Sequence, residues 1–69
     1  MKISARNKLP GKIVEVTKGA TTAHVRIEVA SGQVITASIT NEAVEDLDLK
    51  VGGRATAVIK ASDVLIAVD

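Results

Sequence analysis

The sequence predicts a small all-β domain, a barrel of five strands with one short helix between the third and fourth strands. Twenty-three of the 69 residues are Val, Ile or Thr, the residue types that favour extended strands. Turn signals that contain glycine separate the apolar runs at intervals typical of small barrels. A chain of this length is expected to form a single domain over residues 1–69.

The first two predicted strands are joined by a turn at Lys18-Gly19-Ala20. Pro10-Gly11 is interpreted as a turn signal that opens the first strand, Lys12–Lys18. The residues before it form an arm that could pair as an extra edge strand, on this chain or a neighbouring subunit. In the second strand, Thr22–Val29, apolar and polar residues alternate, as in a strand with one buried face. The apolar positions are Ala23, Val25, Ile27 and Val29.

Three further strands and the helix follow. Ser31-Gly32 predicts a tight turn into the third strand, Gln33–Ile39. Apolar residues at helical spacing, after a capping residue at Thr40 or Asn41, predict a helix of about two turns over Asn41–Leu47. After a turn at Val51-Gly52-Gly53, the fourth and fifth strands are expected at Arg54–Lys60 and Val64–Val68.

The resulting element order, β-β-β-α-β-β, is that of the OB-fold, a five-stranded Greek-key barrel. A different small barrel, such as an SH3-like one, is the structural alternative.

The core has to be built without aromatic rings or disulfides, because the chain contains no Phe, Tyr, Trp or Cys. A domain of this size buries only about 60% of the surface that its unfolded chain exposes. Small domains of this kind are often completed by a partner subunit. We therefore expect the chain to associate with further copies of itself.

Composition argues against several classes of function. With no Cys and one His, His24, the chain has no metal-ligand cluster and no recognisable nucleophile–base pair, so catalysis is not expected. No apolar stretch is long enough for a membrane span or a signal peptide, which favours a cytoplasmic protein without a membrane partner. A small OB-fold module that binds nucleic acid is the alternative function. It is disfavoured because the net charge is only +1 and no ring can stack on bases.

Two short segments carry the polar groups of most interest. Ser4-Ala5-Arg6-Asn7 combines a hydroxyl, a guanidinium and a carboxamide, and Lys60-Ala61-Ser62 combines an ammonium with a hydroxyl and turn amides. Cations, hydroxyls and backbone donors together complement a small dianion. On spacing alone, scattered surface charges are the favoured explanation of Arg6 and Lys60.

The segment Ser4–Gly11 resembles the SARNxLxG opening of the molbindins, the Mop family of molybdate-binding proteins. The resemblance covers essentially the whole chain. It continues through the Val25–Glu28 strand and the Ile39-Thr40 step into an acidic helix, and it includes Ala57–Ala61 near the end. Pro10 departs from the residues that often stand at its position.

The resemblance implies an OB-fold protein that assembles as a homohexamer, a trimer of dimers, and stores or buffers molybdate or tungstate in the cytoplasm. The anions would bind at subunit interfaces. One subunit would supply Ser4, the Ala5 backbone and Arg6, and its partner would supply Thr40, Lys60 and the Ala61 backbone. Asn7 and Ser62 are adjacent candidates. A second kind of site near the three-fold axis is also implied, and Thr22 and His24 are polar residues that could approach it.

The resemblance leaves the choice between molybdate and tungstate open, as it does the choice between storage and delivery. Related domains occur in transporter ATPases and molybdate-responsive regulators, so a module of such a protein is a further alternative. The SARN arm directly after Met1 favours a free-standing protein.

Overall fold

The computed structural model covers Met1–Asp69 and consists mostly of β-strands with one short α-helix, as predicted. Four strands form one antiparallel sheet in the spatial order β3-β2-β1-β4. The elements in chain order are β1 (Asn7–Lys18), β2 (Thr22–Val29), β3 (Val34–Thr40), α1 (Asn41–Asp46), β4 (Arg54–Ile59) and a 3-10 turn, η1 (Ala61–Asp63). No helix of the structure is long and apolar enough to cross a bilayer.

The first strand curls the sheet because its two halves pair with different neighbours. Residues 7–12 pair with β4 and residues 11–18 pair with β2, with an irregularity in register between Ile13 and Glu15. A bulge of this kind bends a strand and increases its twist. Gly11 lies where both ladders overlap, opposite Val29 and Ala55. A Cβ atom there would overlap the Glu28 carbonyl oxygen, so only glycine fits.

The start of β1 corrects one prediction. The strand begins at Asn7 and not at Lys12, so only the end of the predicted arm, from Asn7 onwards, belongs to the sheet. Pro10 does not interrupt the strand because pairing with β2 begins only at Gly11, which leaves Pro10 with one neighbouring strand. Proline is tolerated where a strand has an unpaired side.

The predicted apolar face of β2 forms the centre of the core. Its four alternating residues are all buried, and they pack with Ile13 of β1, Val44 of α1 and Ala57 of β4. Ile35, Ala37 and Ile39 of β3 are half-buried, as their predicted common face implies. The core is therefore aliphatic throughout.

The helix closes the end of the barrel where β3 stops. Thr40 is the capping residue, and its Oγ1 accepts a hydrogen bond of 3.0 Å from the Ala43 backbone N–H. The helix is one residue shorter than predicted, since Leu47 is its C-terminal cap. The chain then reaches β4 through the predicted turn, in which Gly52 adopts a φ of 91°. Because α1 joins the end of β3 to the start of β4, β4 runs away from the helix.

The predicted fifth strand is not part of this sheet. After η1, Val64–Asp69 has no regular secondary structure and every residue in it is exposed. Strand propensity was sufficient to predict an extended segment, but a strand forms only where a neighbouring edge pairs with it. In a single chain, no such pairing occurs.

Candidate oxyanion site

The β1–β4 ladder brings the two polar segments together. Asn7 is paired with Ile59, and its Nδ2 donates a hydrogen bond of 3.2 Å to the Ile59 carbonyl oxygen. Arg6 directly precedes this pair along the chain and Lys60 directly follows it. The two cations therefore lie at the same end of one ladder, although 54 positions separate them in the sequence.

Neither cation is neutralised by the protein. The ion pairs of the structure are Lys18–Glu45, Arg26–Glu15 and Lys50–Asp48, and none involves Arg6 or Lys60. Like charges on adjacent strands repel each other. A bound anion would offset that repulsion.

Lys8 is a third cation in this region that the sequence analysis did not single out. Lys8 lies in β1, paired with Val58 and two positions after Arg6 in the chain. Lys8 is exposed and is in no ion pair. Lys8 was missed because the first strand was predicted to begin at Lys12, whereas β1 begins at Asn7.

The remaining residues of the two segments surround this end of the ladder. Ser4 lies just before β1 and is exposed, and Ala5 and Asn7 are half-buried. Ala61 and Ser62 lie in η1, which follows β4 directly and is held by a hydrogen bond of 2.9 Å from the Asp63 N–H to the Lys60 carbonyl oxygen. Six of the eight predicted site residues flank or form the end of this one ladder, and a seventh, Ser4, lies close by in the chain.

Thr40 is the exception, because it lies at the helix end of the barrel. It is paired with Thr22, near the turn that joins β1 and β2. Lys60 follows the opposite end of β4. Thr40 borders a depression of about 350 Å³ together with Ala20, Thr21, Asn41 and Glu42. One chain therefore does not bring Thr40 to Arg6 and Lys60, and a site that contains all three requires more than one subunit.

The hydroxyl of Thr40 can still donate. Its oxygen accepts from Ala43, but its own proton has no partner in the structure. The neighbouring Asn41 fixes this corner, since its Nδ2 donates to the Gly19 carbonyl at 3.0 Å and its backbone N–H donates to Thr21 at 2.9 Å. From the sequence, Asn41 was predicted only as a possible helix cap. Its role as a tie between α1 and the β1–β2 turn depends on long-range contacts.

Thr22 and His24, the residues considered for a second site, also lie near the β1–β2 turn. They line a shallow depression of about 240 Å³ with Thr17, Lys18 and Gly19. Lys18 is the nearest cation there, and it is engaged with Glu45 at 3.2 Å. A second site at this position stays a prediction.

Comparisons with known proteins identify the class to which this curled sheet belongs. The family model described as TOBE domain matches residues 3–66. Among solved structures, MopII from Clostridium pasteurianum superposes with a TM-score of 0.92 at 48% identity, covering 97% of this chain and 100% of that one. The predicted all-β, OB-like architecture is thereby confirmed.

Close relatives specify the family further. The chain is 52% identical over 66 residues to molybdenum-pterin-binding protein 3 of Clostridium pasteurianum, covering 96% of this chain and 97% of the relative. It also superposes on the cytoplasmic molybdate-binding protein ModG, in a form with molybdate bound, with a TM-score of 0.91 at 45% identity. That match covers 94% of this chain and 46% of ModG. The chain belongs to the TOBE-domain family and, within it, to the molbindins or Mop proteins, as its opening segment indicated.

Proposed function

We propose that this protein binds molybdate, and tungstate in the same manner, without catalysing a reaction. The observation that carries the proposal is the juxtaposition of Arg6 and Lys60 at one end of the β1–β4 ladder, with no carboxylate paired to either. The relatives named for molybdenum-pterin binding and the ModG structure with molybdate bound support the choice of anion.

The chemistry of the anion matches the donors. Molybdate is a tetrahedral dianion whose four oxygens only accept hydrogen bonds at neutral pH. Arg6 can donate to two of them with its planar guanidinium, and Lys60 adds a compact charge. Hydroxyls of Ser4 and Ser62, the Asn7 amide and the backbone of Ala5 and Ala61 complete a donor set that contains no acid. Sulfate has the same charge and shape but is smaller, so the spacing of the donors has to provide the selectivity.

We further propose that the site is completed at an interface between subunits. In one chain Arg6 and Lys60 are both exposed, and an exposed pair holds an anion only weakly because water and salt screen its charge. Thr40 lies at the other end of the barrel, so its expected contribution would come from another subunit. A homohexamer built as a trimer of dimers is the assembly that we propose, with storage or buffering of oxyanions in the cytoplasm as its role. Binding at an interface would also stabilise the assembly.

Calorimetric titration tests the proposal. The full chain is titrated with sodium molybdate, sodium tungstate and sodium sulfate at the same pH and at physiological ionic strength. We expect saturable binding of molybdate and tungstate and at least tenfold weaker binding of sulfate. Absence of molybdate binding, or equal affinity for sulfate, would refute the proposal. Binding of single-stranded nucleic acid in place of the oxyanions would favour the alternative function.

A further inference from the structure

Charge is distributed unevenly in this protein, although the net charge is only +1. Five of the nine cations lie in residues 6–12 and 54–60, which form the β1–β4 ladder with one flanking residue on each strand. Neither segment contains an acid. The rest of the chain has four cations and eight acids, a net charge of −4. The ladder is therefore a positive region on an otherwise negative molecule.

The outer face of this ladder carries three of the five cations. Along β1, exposed residues alternate with residues that face the core, so Lys8 and Lys12 lie on the same outer face. The exposed residues of β4 lie directly opposite, because Arg54 is paired with Lys12 and Val58 with Lys8. This face, here called the basic strip, consists of six exposed residues: Lys8, Pro10 and Lys12 of β1, and Arg54, Thr56 and Val58 of β4.

The charges of the basic strip are not compensated within the chain. Lys12 and Arg54 are direct cross-strand partners, which places their Cα atoms about 5 Å apart. Like charges in such a pair destabilise a sheet. Neither residue forms an ion pair, nor does Lys8, whereas three of the four cations elsewhere in the chain are each paired with a carboxylate. A partner that supplies carboxylates would relieve this repulsion.

The limits of the basic strip indicate the kind of partner that fits. From Lys8 to Lys12 the strand spans only about 13 Å. Glu28 of β2 is the other cross-strand neighbour of Lys12, so an acid borders the strip on that side. A nucleic acid would extend past the strip into the negative remainder of the chain, and it would find no ring on which to stack a base. A short acidic segment of a protein stays within these limits, and Pro10 and Val58 offer it apolar contacts.

We propose that the basic strip is a docking surface for an acidic segment of a partner protein. Carboxylates of that segment pair with Lys8 and with the opposed Lys12 and Arg54. Complementary charge of this kind mainly determines the rate and the specificity of association. The proposal rests on the charges and the register of the ladder and does not require that the protein binds an anion.

The position of the basic strip adds a consequence that does rest on the proposed function. The Lys8–Val58 pair is adjacent to the Asn7–Ile59 pair, which lies between Arg6 and Lys60. A protein docked on the strip would therefore lie beside the candidate oxyanion site. That position suits a protein that supplies the anion to the site or takes it away.

Titration of the nitrogen-15-labelled natural chain, followed by amide chemical shifts at low ionic strength, tests the docking surface. The probe is an acidic peptide of about 12 residues in which Glu and Ala alternate, and a peptide of alternating Gln and Ala is the neutral control. We expect saturable shifts centred on the basic strip with the acidic peptide and none with the neutral one. Shifts centred elsewhere, or no binding of the acidic peptide, would overturn the proposal.

Charge reversal separates the basic strip from a general effect of net charge. One variant carries Lys12→Glu and Arg54→Glu. Its control carries Lys2→Glu and Lys50→Glu, an equal change in net charge at two exposed residues outside the strip. We expect the first variant to bind the acidic peptide at least tenfold more weakly than the natural chain, and the control to bind it within about threefold. Equal losses in the two variants would contradict the assignment of the surface.

Two further measurements keep the result interpretable. If the reversed chain fails to fold, the chain with Lys12→Gln and Arg54→Gln replaces it, and at least threefold weaker peptide binding is then expected. A DNA duplex of about 12 base pairs tests the other class of polyanion, and a duplex that shifts the basic strip when the acidic peptide does not would overturn the proposal. Molybdate titration of the natural chain reports separately on the proposed function, so that failure of docking and failure of anion binding are distinguishable.

Discussion

Replacing Arg6 with alanine should weaken molybdate binding by about 10- to 150-fold. The guanidinium is unpaired in the structure, so its loss removes donors to the anion without leaving a carboxylate behind. Hydrogen bonds to charged groups contribute about 1.5–3 kcal/mol, and each 1.4 kcal/mol corresponds to about tenfold in affinity. Coulomb attraction gives a similar figure: about 2 kcal/mol for a dianion at 4 Å from a unit charge in a water-like dielectric.

The assay is calorimetric titration with molybdate, on Arg6→Ala, Arg6→Lys and a matched control, Arg54→Ala. Arg54 is also an exposed arginine without an ion pair. It lies at the first residue of β4, whereas Lys60 follows the last, so Arg54 is at the other end of the strand from the candidate site. We expect Arg54→Ala to bind within about twofold of the natural chain. Arg6→Lys should fall between the two because it retains the charge but loses the two-pronged donor.

The reasoning would be refuted if Arg6→Ala bound molybdate as tightly as the natural chain while remaining folded and assembled. Equal losses in Arg6→Ala and Arg54→Ala would also refute it, since they would indicate a general effect of net charge. Raising the salt concentration should weaken binding in both the natural chain and Arg54→Ala, because screening reduces the contribution of the remaining cations.

Three substitutions test the account of the fold by thermal unfolding. Gly11→Ala should lower the unfolding free energy by about 1–3 kcal/mol, because the added methyl group overlaps the Glu28 carbonyl and Ile27; an unchanged Tm would contradict this close approach. Thr40→Ala should lower the unfolding free energy by about 0.5–2 kcal/mol, because the helix loses its cap. Thr40→Ser keeps the hydroxyl and should retain most of that stability. Equal stability of the alanine and serine variants would show that the cap is unimportant. Ile13→Val should lower the unfolding free energy by about 0.5–1.5 kcal/mol, because Ile13 is 1% exposed. Val51→Ala, in the exposed turn, should have little effect. Similar effects of the two changes would contradict the assignment of the core.

Local features of the sequence predicted much of the fold. The alternation in Thr22–Val29 identified β2 with the bounds that it has in the structure. Gly32 adopts the positive φ of 89° that the predicted turn requires, and Thr40 caps the helix. Each of these signals depends on residues within a few positions of one another.

Features that depend on distant partners were not predictable in the same way. The Pro10-Gly11 pair indicated a turn, but in the structure both residues lie inside a strand. That strand is paired to β4 on one side and is bordered closely by Glu28 on the other. The adjacency of Arg6 and Lys60 depends on the pairing of Asn7 with Ile59, which no local spacing reveals. The segment Val64–Val68 was predicted as a strand from its composition, but it has no regular secondary structure because no edge pairs with it in a single chain.

The resemblance implied which subunit supplies each site residue. The structure of a single chain does not contain that information. The resemblance assigned Arg6 and Lys60 to different subunits, whereas those of one chain lie at the same end of the β1–β4 ladder, next to the Asn7–Ile59 pair. The location of Thr40 at the opposite end of the barrel is compatible with a contribution from another subunit. The proposed shared site makes assembly a requirement of anion binding, and it stays a prediction.

The most direct test of the central claim is equilibrium dialysis of the natural chain against molybdate in the presence of an equal concentration of sulfate, with bound molybdenum measured by elemental analysis. We expect saturable retention of molybdenum at a fixed ratio to the chain, and loss of most of that retention in Arg6→Ala but not in Arg54→Ala. No retention above the buffer, or full displacement by sulfate at comparable concentration, would contradict it.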